Sequence, residues 1–572
     1  MPPAHAFFSP TRLAALAGNS HVWGIGAVVL PHLAALAVLL HTEDNVVDAL
    51  AFVLTWGLLT FLWLIMLRRP AVAASLSLIM VVGLILLSQF KQDILIMSAN
   101  FVDVMLIDAD TISFVLRIFP HLTWMLGVAA AVVVPVLVLF WWLDPVRVRM
   151  RSAALGAAAC LFILTGVSFA VPMDREKAFE PFGYVSQFAR SGILAMFDLA
   201  AHGFMQSDAA VPERLSSAAP ASCKPGQRLP HIVLVLDESS FDISTVPGIK
   251  VPADYKSHFR SSDGKERTFL VEGAGGPTWF TEYNVLSGLS VRSYGHFAEF
   301  ATRIAAGRVS RSLPHALHNC GYRTYSVYPW LGAFLSARNF QKTLGIDHFY
   351  DARDLKTRDV ERDEFYYTFT ADLLKRDHAQ GPMFVFTYLM ANHFPWTFRY
   401  RDEQSSDWRD PGNREVNGQS IDEYLRRQDM SARDYKSFVA RLKRDFPDEP
   451  FLIVRFGDHQ PKFARYMVAP GLDDAAIGRR IDAADPRFFY TYYAIEALNF
   501  TPADLSSAVT ALDAAYLPLV ILEAAGVPLD ASFAEQRRIF QRCNGLFYLC
   551  DSGAEARRFN RLLIDAGMIK RL

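Results

Sequence analysis

The sequence predicts a membrane α-helical bundle of five spans followed by an extracytoplasmic α/β domain built on a mostly parallel sheet. Three observations carry this expectation. Nearly all the long apolar runs lie before about residue 172. Within that half, the arginines gather in alternate short connections. Beyond it, short β-branched runs alternate with helical stretches, as in a sheet covered on both faces.

A helix needs about 20 apolar residues to cross a bilayer. The runs 22–41, 48–67, 71–89, 122–142 and 153–172 meet that length. The first starts too late and runs too long for the apolar region of a cleaved leader, and four more follow it. Arg68 and Arg69 separate the second and third runs, Arg147, Arg149 and Arg151 separate the fourth and fifth, and Arg12 precedes the first. The connection HTEDNVVD between the first two has neither Lys nor Arg. Basic connections face the cytoplasm, so the N-terminus is expected there, and five spans leave everything after residue 172 on the far side. The expected organisation is a transmembrane domain over 1–172, a juxtamembrane helix and linker over 173–229, and a water-exposed α/β domain over 230–572.

The formal net charge is −1, with no basic excess, so a nucleic-acid partner is not expected. The segment 90–121, which contains FVDVMLIDADTISFVLRIF, reads as an amphipathic interfacial helix, and 179–204 as another helix lying on the surface. The Ala/Ser/Pro-rich stretch DAAVPERLSSAAPASCKPGQRLP reads as a linker. Cys160 falls inside the fifth span. Cys223, Cys320, Cys543 and Cys550 lie beyond it, an even number in a compartment where disulfides persist. A local Cys543–Cys550 bridge is compatible with the spacing, but three pairings stay open.

In the second half, HIVLVLD (231–237), RTYSVYP (323–329), PMFVFTYLM (382–390) and FLIVRFGDH (451–459) read as buried strands, with helices over 363–376 and 431–445 between them. FFYTYY (488–493) reads as a sheet edge or core strand. Ligands of parallel sheets bind beyond the carboxyl ends of the strands. Glu238 follows the first of these strands, His393 follows PMFVFTYLMAN, and Asp458 and His459 follow FLIVRFG. Thr278 opens an apolar-patterned segment in GAGGPTWFTEYNVLSGL (273–289), behind three glycines. Such a loop lets backbone approach an anion, and a helix start presents unpaired N–H groups, so Gly275, Gly276 and that start are expected to hold phosphoryl oxygens.

A carboxylate, an Asp-His pair and a hydroxyl make a mixed oxygen and nitrogen site suited to Zn²⁺ or Mn²⁺. A cation there would convert the threonine hydroxyl into a nucleophile. Taken singly, each of these residues also fits a turn, a cap or a packed loop. Their joint placement at strand ends is what points to chemistry. Trp279, Phe280 and Tyr283 read as packing residues. His315 and His318 read as surface residues, with a second metal site as the alternative, and 401–410 reads as a solvated loop near the site entrance.

The order LDESS, GGPTWFTE, NHFPW, GDH resembles the sulfatase-like branch of the alkaline phosphatase superfamily. Within it, the whole chain resembles the membrane-anchored enzymes typified by lipoteichoic acid synthase and the phosphoethanolamine transferases. The resemblance implies an alkaline-phosphatase-like α/β/α sandwich and one metal ion held by Glu238, Thr278, Asp458 and His459, with Thr278 transiently phosphorylated. It further implies that His393 contacts the phosphate or departing group and that Arg338, in WLGAFLSARNF, binds substrate. The implied activity moves a phosphoethanolamine or glycerophosphate head group from a membrane phospholipid to a glycan or lipid acceptor of the envelope. The implied location is a bacterial inner membrane, with the catalytic domain in the periplasm. DES and GPTW match neither branch's usual pattern, which leaves the head group open. Sulfatases proper carry C/S-x-P-x-R, and Cys223 and Cys320 lie in no such pattern, so sulfate-ester hydrolysis is not expected. The alternatives are phosphodiester hydrolysis by the same site and a non-catalytic role in envelope assembly. Oligomeric state stays open.

Overall fold

The computed structural model describes residues 20–570 apart from 96, 107–108, 145, 172–179, 209–210, 216–222, 225–227, 358–359 and 405–406; Arg12 therefore lies outside the described residues. Internal contacts divide the chain into two units, Met1–Asp198 with Asp473–Arg479, and Leu199–Leu472 with Arg480–Leu572.

The first unit is helical: α1 (Ser20–Thr42), α2 (Val46–Leu67), α3 (Pro70–Leu95), α4 (Ala109–Ile118), α5 (His121–Leu143), α6 (Met150–Ala170) and α7 (Tyr184–His202). Five of them, α1, α2, α3, α5 and α6, are long and apolar enough to cross a membrane. They coincide with the five apolar runs of the sequence. Hydroxyls on these helices donate back one turn, Thr55 Oγ1 to Ala51 O at 2.7 Å and Ser168 Oγ to Leu164 O at 2.7 Å. Lipid offers such groups no other partner. Small residues (Ala51, Ala73, Ala74 and Ala153) are fully buried within this unit's apolar clusters, which lets backbones approach closely. The two arginine-bearing connections meet at one end, where Val148 N–H donates to Arg68 O at 3.0 Å and the Arg69 guanidinium to Asp144 O at 3.0 Å. At another, Gly183 N–H donates to Thr42 O at 2.7 Å.

Two expectations for this half need correction. The segment 90–121 is not one helix: α3 runs on to Leu95, a 3-10 turn covers Phe101–Leu106, and α4 follows. The break is held by Asp103, whose carboxylate pairs with Lys91 at 2.9 Å and accepts the Asn100 N–H at 2.7 Å. Nor does α7 lie on the surface. Val185 packs in one apolar cluster with Trp56 and Ile85, Ala189 and Ile193 pack against Leu54 and Leu164, and Arg190 is buried 3.6 Å from Asp48.

The second unit carries β1 (His231–Asp237), β2 (Thr268–Leu270), α8 (Thr278–Ser287), β3 (Arg323–Val327), β4 (His348–Tyr350), α9 (Asp363–Asp377), β5 (Met383–Tyr388), α10 (Arg414–Asp445), β6 (Phe451–Gly457), α11 (Ala464–Val468), β7 (Tyr490–Leu498) and β8 (Ala511–Asp513), with further short helices between them. The strands form one eight-stranded sheet in the order β4-β3-β5-β1-β6-β7-β2-β8. All run the same way except β7, which is antiparallel to both of its neighbours. The FFYTYY run thus enters an interior strand, not an edge. On one face Val233, Val235, Val385 and Ile453 pack under Tyr366 and Leu374 of α9 and Phe438 and Leu442 of α10. On the other, Phe456 meets the rings of Phe269 and Phe386, and the helix Leu517–Ala525 packs on β6 and α8.

Disulfides join Cys223 to Cys320 and Cys543 to Cys550, which selects one of the three pairings the sequence left open. Cys160 is free. The helix expected over 431–445 begins at Arg414; its earlier turns bury Ile421, Tyr424 and Leu425 in an apolar cluster and pair Glu423 with Arg426 and Arg427.

Candidate active site

The register aligns Asp237 at the end of β1 with Gly457 at the end of β6, so Glu238 and Asp458 leave adjacent strands side by side. Between them Ser239 adopts a left-handed conformation (φ 50°), uncommon for a residue with a β-carbon. That turn lets its N–H donate to Asp458 Oδ1 at 2.7 Å while its hydroxyl donates to Glu238 Oε1 at 2.8 Å. Glu238, Asp458 and His459 are all buried, and one potential ligand atom from each lies within 4.8 Å of the others.

Thr278 arrives from across the sheet edge. Its Oγ1 is 3.4 Å from Glu238 Oε2 and 3.3 Å from His459 Nε2. It is the first residue of α8, as the sequence predicts, and the helix is latched in place where the Thr281 hydroxyl donates to Asp458 O at 2.7 Å. Behind Thr278 the loop is tight. Thr278 N–H donates to Gly276 O at 2.9 Å and Phe280 N–H to Pro277 O at 3.0 Å, so two of the first amides of the helix serve the loop. Gly275 has φ +72°, and a β-carbon on it would stand 2.8 Å from Nη2 of Arg465. That guanidinium is buried and donates to Ala274 O.

The donor set fits a divalent cation. Asp458 Oδ2 is buried without a hydrogen bond. His459 Nδ1 lies 2.9 Å from Gln460 O, which can only accept, so Nδ1 carries a hydrogen and Nε2 is the nitrogen turned to the cluster. Burial and then the charge of Asp458 push the Glu238 carboxyl well above its usual range, and burial raises Asp458 as well. Two carboxylates forced together out of water, with an orphaned oxygen and an imidazole nitrogen, form the environment that a cation relieves.

His393 lies in the irregular segment after β5. Its Nδ1–H donates to Phe394 O at 2.8 Å, which leaves the lone pair on Nε2. Burial, together with nearby His459 and Arg427, lowers its pKa to about 4. Arg338 makes a different set of contacts. Its guanidinium pairs with Asp351 at 2.6 Å and Asp354 at 3.1 Å and donates to Phe349 O at 3.1 Å, so the charge the sequence offers to substrate is already met by two carboxylates. Tyr283 is fully buried, and Trp279 donates its indole N–H to Glu299 O at 3.0 Å, in keeping with packing roles. His315 and His318 are partly exposed. His315 bonds Ser310 O at 2.7 Å and His318 lies 3.1 Å from Asp347, and neither joins a ligand cluster among the described residues. The 401–410 loop is pinned by an Arg401–Glu361 ion pair and by Trp408 donating to Asp422 at 2.9 Å; its residues 405–406 lie outside those described.

Residues 268–478 match the Sulfatase family. The chain carries a sulfatase-family domain. The matched stretch holds Thr278, His393, Asp458 and His459, whereas Glu238 precedes it. The chain is 27% identical over 246 residues to the capsular polysaccharide biosynthesis protein RkpI of Rhizobium meliloti (strain 1021), a stretch covering 41% of this chain and 42% of that relative. Among solved structures it is similar to the phosphoglycerol transferase GacH of Streptococcus pyogenes, with 15% identity, coverage of 59% of this chain and 85% of that one, and a TM-score of 0.45. It is also similar to the lipooligosaccharide phosphoethanolamine transferase A of Neisseria meningitidis, with 11% identity, coverage of 83% and 95%, and a TM-score of 0.44.

Sequence reasoning missed two residues that shape the candidate site. Ser239 was visible only as part of DESS, and nothing in its type announces a left-handed bridge between strands. Arg465 stands six residues after His459 in HQPKFAR, a basic residue whose burial against the glycine loop is a tertiary fact.

Proposed function

We propose that this protein transfers a phosphoethanolamine or glycerophosphate head group from a membrane phospholipid, by way of phosphorylated Thr278, to a hydroxyl of an envelope glycan or lipid. The observation that carries the reading is the Thr278 hydroxyl standing 3.3 Å from His459 Nε2 and 3.4 Å from Glu238, at the rim of the buried three-ligand cluster. The sulfatase-family domain supports it. A hydroxyl placed among metal-ligand side chains is placed to attack phosphorus.

Glu238, Asp458, His459 and the Thr278 oxygen would hold Zn²⁺ or Mn²⁺. Such a cation supplies charge that lowers the hydroxyl pKa and offsets the negative phosphoryl oxygens. Thr278 Oγ1 attacks the phosphorus of the donor and gives up its hydroxyl proton, the bond to the diacylglycerol oxygen breaks, and that oxygen takes up a proton in its place. The positive end of α8 favours the phosphoryl oxygens. In the second step the acceptor hydroxyl attacks, the bond from phosphorus to Thr278 breaks, and His393 Nε2 takes the hydroxyl proton. The His393 ring is neutral before substrate arrives, and a phosphoryl anion beside it raises its basicity. The arginine-bearing connections at one end of the bundle favour a cytoplasmic N-terminus, with this domain on the opposite side, where outer-leaflet phospholipid is at hand.

The test is intact-mass measurement of the purified full-length protein after incubation with phosphatidylethanolamine or phosphatidylglycerol. One of the two lipids should add the mass of its phosphorylated head group, and Thr278→Ala should add nothing. An adduct that persists in Thr278→Ala would overturn the reading.

A further inference from the structure

One turn of α10 carries Glu423, Arg426 and Arg427, and none of the three is more than 2% exposed. Buried charges of this kind are costly unless each is met. Glu423 accepts from Arg426 Nε at 2.9 Å, Arg427 Nε at 2.7 Å, Arg399 Nη1 at 3.2 Å and Tyr400 N–H at 2.9 Å. With Nε on Glu423, Arg427 has four N–H groups left. All four go to carbonyls of a single irregular segment. Nη1 donates to His393 O at 2.7 Å and Ala391 O at 3.4 Å, and Nη2 to Pro395 O at 2.9 Å and Phe398 O at 3.4 Å. The guanidinium also lies 5.2 Å from the rings of both Phe398 and Tyr400.

The carbonyls gathered in this way flank His393 on both sides. The segment belongs to no strand or helix, so a single side chain supplies hydrogen bonds that a ladder would otherwise provide. The ring itself is tethered only one residue on, at Phe394 O. We propose that Arg427 is a positioning residue for His393, its fork fixing residues 391–398 so that the imidazole stays where it serves the entering hydroxyl. This rests on the role given to His393 above. A lysine keeps the charge against Glu423 but offers donors from one point, which cannot span four carbonyls.

The experiment uses the full-length protein in detergent with Arg427→Lys, Arg427→Met and His393→Ala, and Arg427→Lys combined with His393→Ala. Hydrogen exchange followed by mass spectrometry should show residues 391–400 opening at least about tenfold faster in both Arg427 variants, while 273–278 and 457–460 keep wild-type rates. Arg427→Lys, which retains the buried ion pair, carries the test if Arg427→Met does not fold. Turnover is read on fluorescent phosphatidylethanolamine and phosphatidylglycerol in mixed micelles. Arg427→Lys should lower kcat roughly ten- to a hundredfold with the lipid KM within about threefold. On the His393→Ala background the same change should alter kcat by less than about threefold. Equal losses on both backgrounds would overturn the proposal by showing a general structural prop, and so would wild-type exchange in 391–400. His393→Ala turning over at the wild-type rate would overturn the role of His393 and the catalytic consequence drawn from it. Exchange does not depend on turnover, so that failure is separable from failure of the clamp.

Discussion

The carbonyl oxygen of Ser240 passes so close over Gly457 that a β-carbon there would stand 1.8 Å away. The backbone that has just delivered Glu238 therefore lies directly on the strand that is about to deliver Asp458, and only a residue without a side chain permits it. Gly457→Ala is expected to push the two carboxylates apart. The strain should cost on the order of 1–3 kcal/mol of stability and, more tellingly, should remove most of the thermal stabilisation that Zn²⁺ or Mn²⁺ confers. Melting curves with and without added metal check this; an unchanged metal response would show that the backbone yields without moving the ligands.

Glu238 and Asp458 repel one another in a buried setting, each carboxyl raised above its usual range, first of all by burial. Folded-state pKa values above the unfolded ones mean that folding takes up protons. Stability from this source is complete below the ordinary carboxylate range and is lost as pH rises. Glu238→Gln should therefore show a crossing. In chelator at pH 8 it melts above wild type, because one buried like charge is gone. In saturating Zn²⁺ it melts below wild type, because a ligand is gone. A variant less stable than wild type in both conditions would mean that the carboxylate is structural and that the cluster does not hold a cation.

The parts of the site that could be read from the sequence are those for which strand ends and helix starts have local signatures. Glu238, Asp458 and His459 terminate apolar runs, and Thr278 ends a glycine loop, so pattern and topology together converge on one sheet edge. The illegible parts are tertiary. The stretch 414–430 is highly charged, yet Glu423, Arg426 and Arg427 are buried, where they satisfy one another and the His393 segment. Strands β2, β4 and β8 have three residues each, too few for alternation to register. Arg338 looks like a free cation in sequence, and two aspartates that follow it in the chain claim it.

Glu282 stands one helical turn after Thr278, facing inward. Burial lifts its carboxyl to about 7 against a hydrogen bond from Gln341, whose Nε2 is 2.7 Å away. Folding takes up a proton on this group between about pH 4.5 and 7, so its stabilising contribution is whole below 4.5 and gone above 7. At pH 8 the buried charge should cost about 3 kcal/mol. Glu282→Gln, which keeps an acceptor for Gln341, should raise the melting temperature at pH 8 and leave it unchanged near pH 4.5. A pH-independent difference would show that the effect is one of packing.

Gly275 and Arg465 make the last prediction a test of how the nucleophile is held. An alanine at 275 meets two obstacles: φ of +72°, which costs an L-residue about 1–2 kcal/mol, and a guanidinium 2.8 Å from the new methyl. The first is intrinsic to the backbone, while the second can be relieved by changing the neighbour. Gly275→Ala should reduce head-group adduct formation on Thr278 roughly tenfold or more, since a displacement near 1 Å is enough to lose that much. Arg465→Lys added to Gly275→Ala should recover part of the loss if contact dominates, and none of it if the left-handed turn dominates. Arg465→Lys alone loses the bond to Ala274 O and should by itself slow the adduct. If Gly275→Ala forms adduct at the wild-type rate, Thr278 is not positioned by this loop, and its latch through Thr281 to Asp458 O would then be the element that holds it.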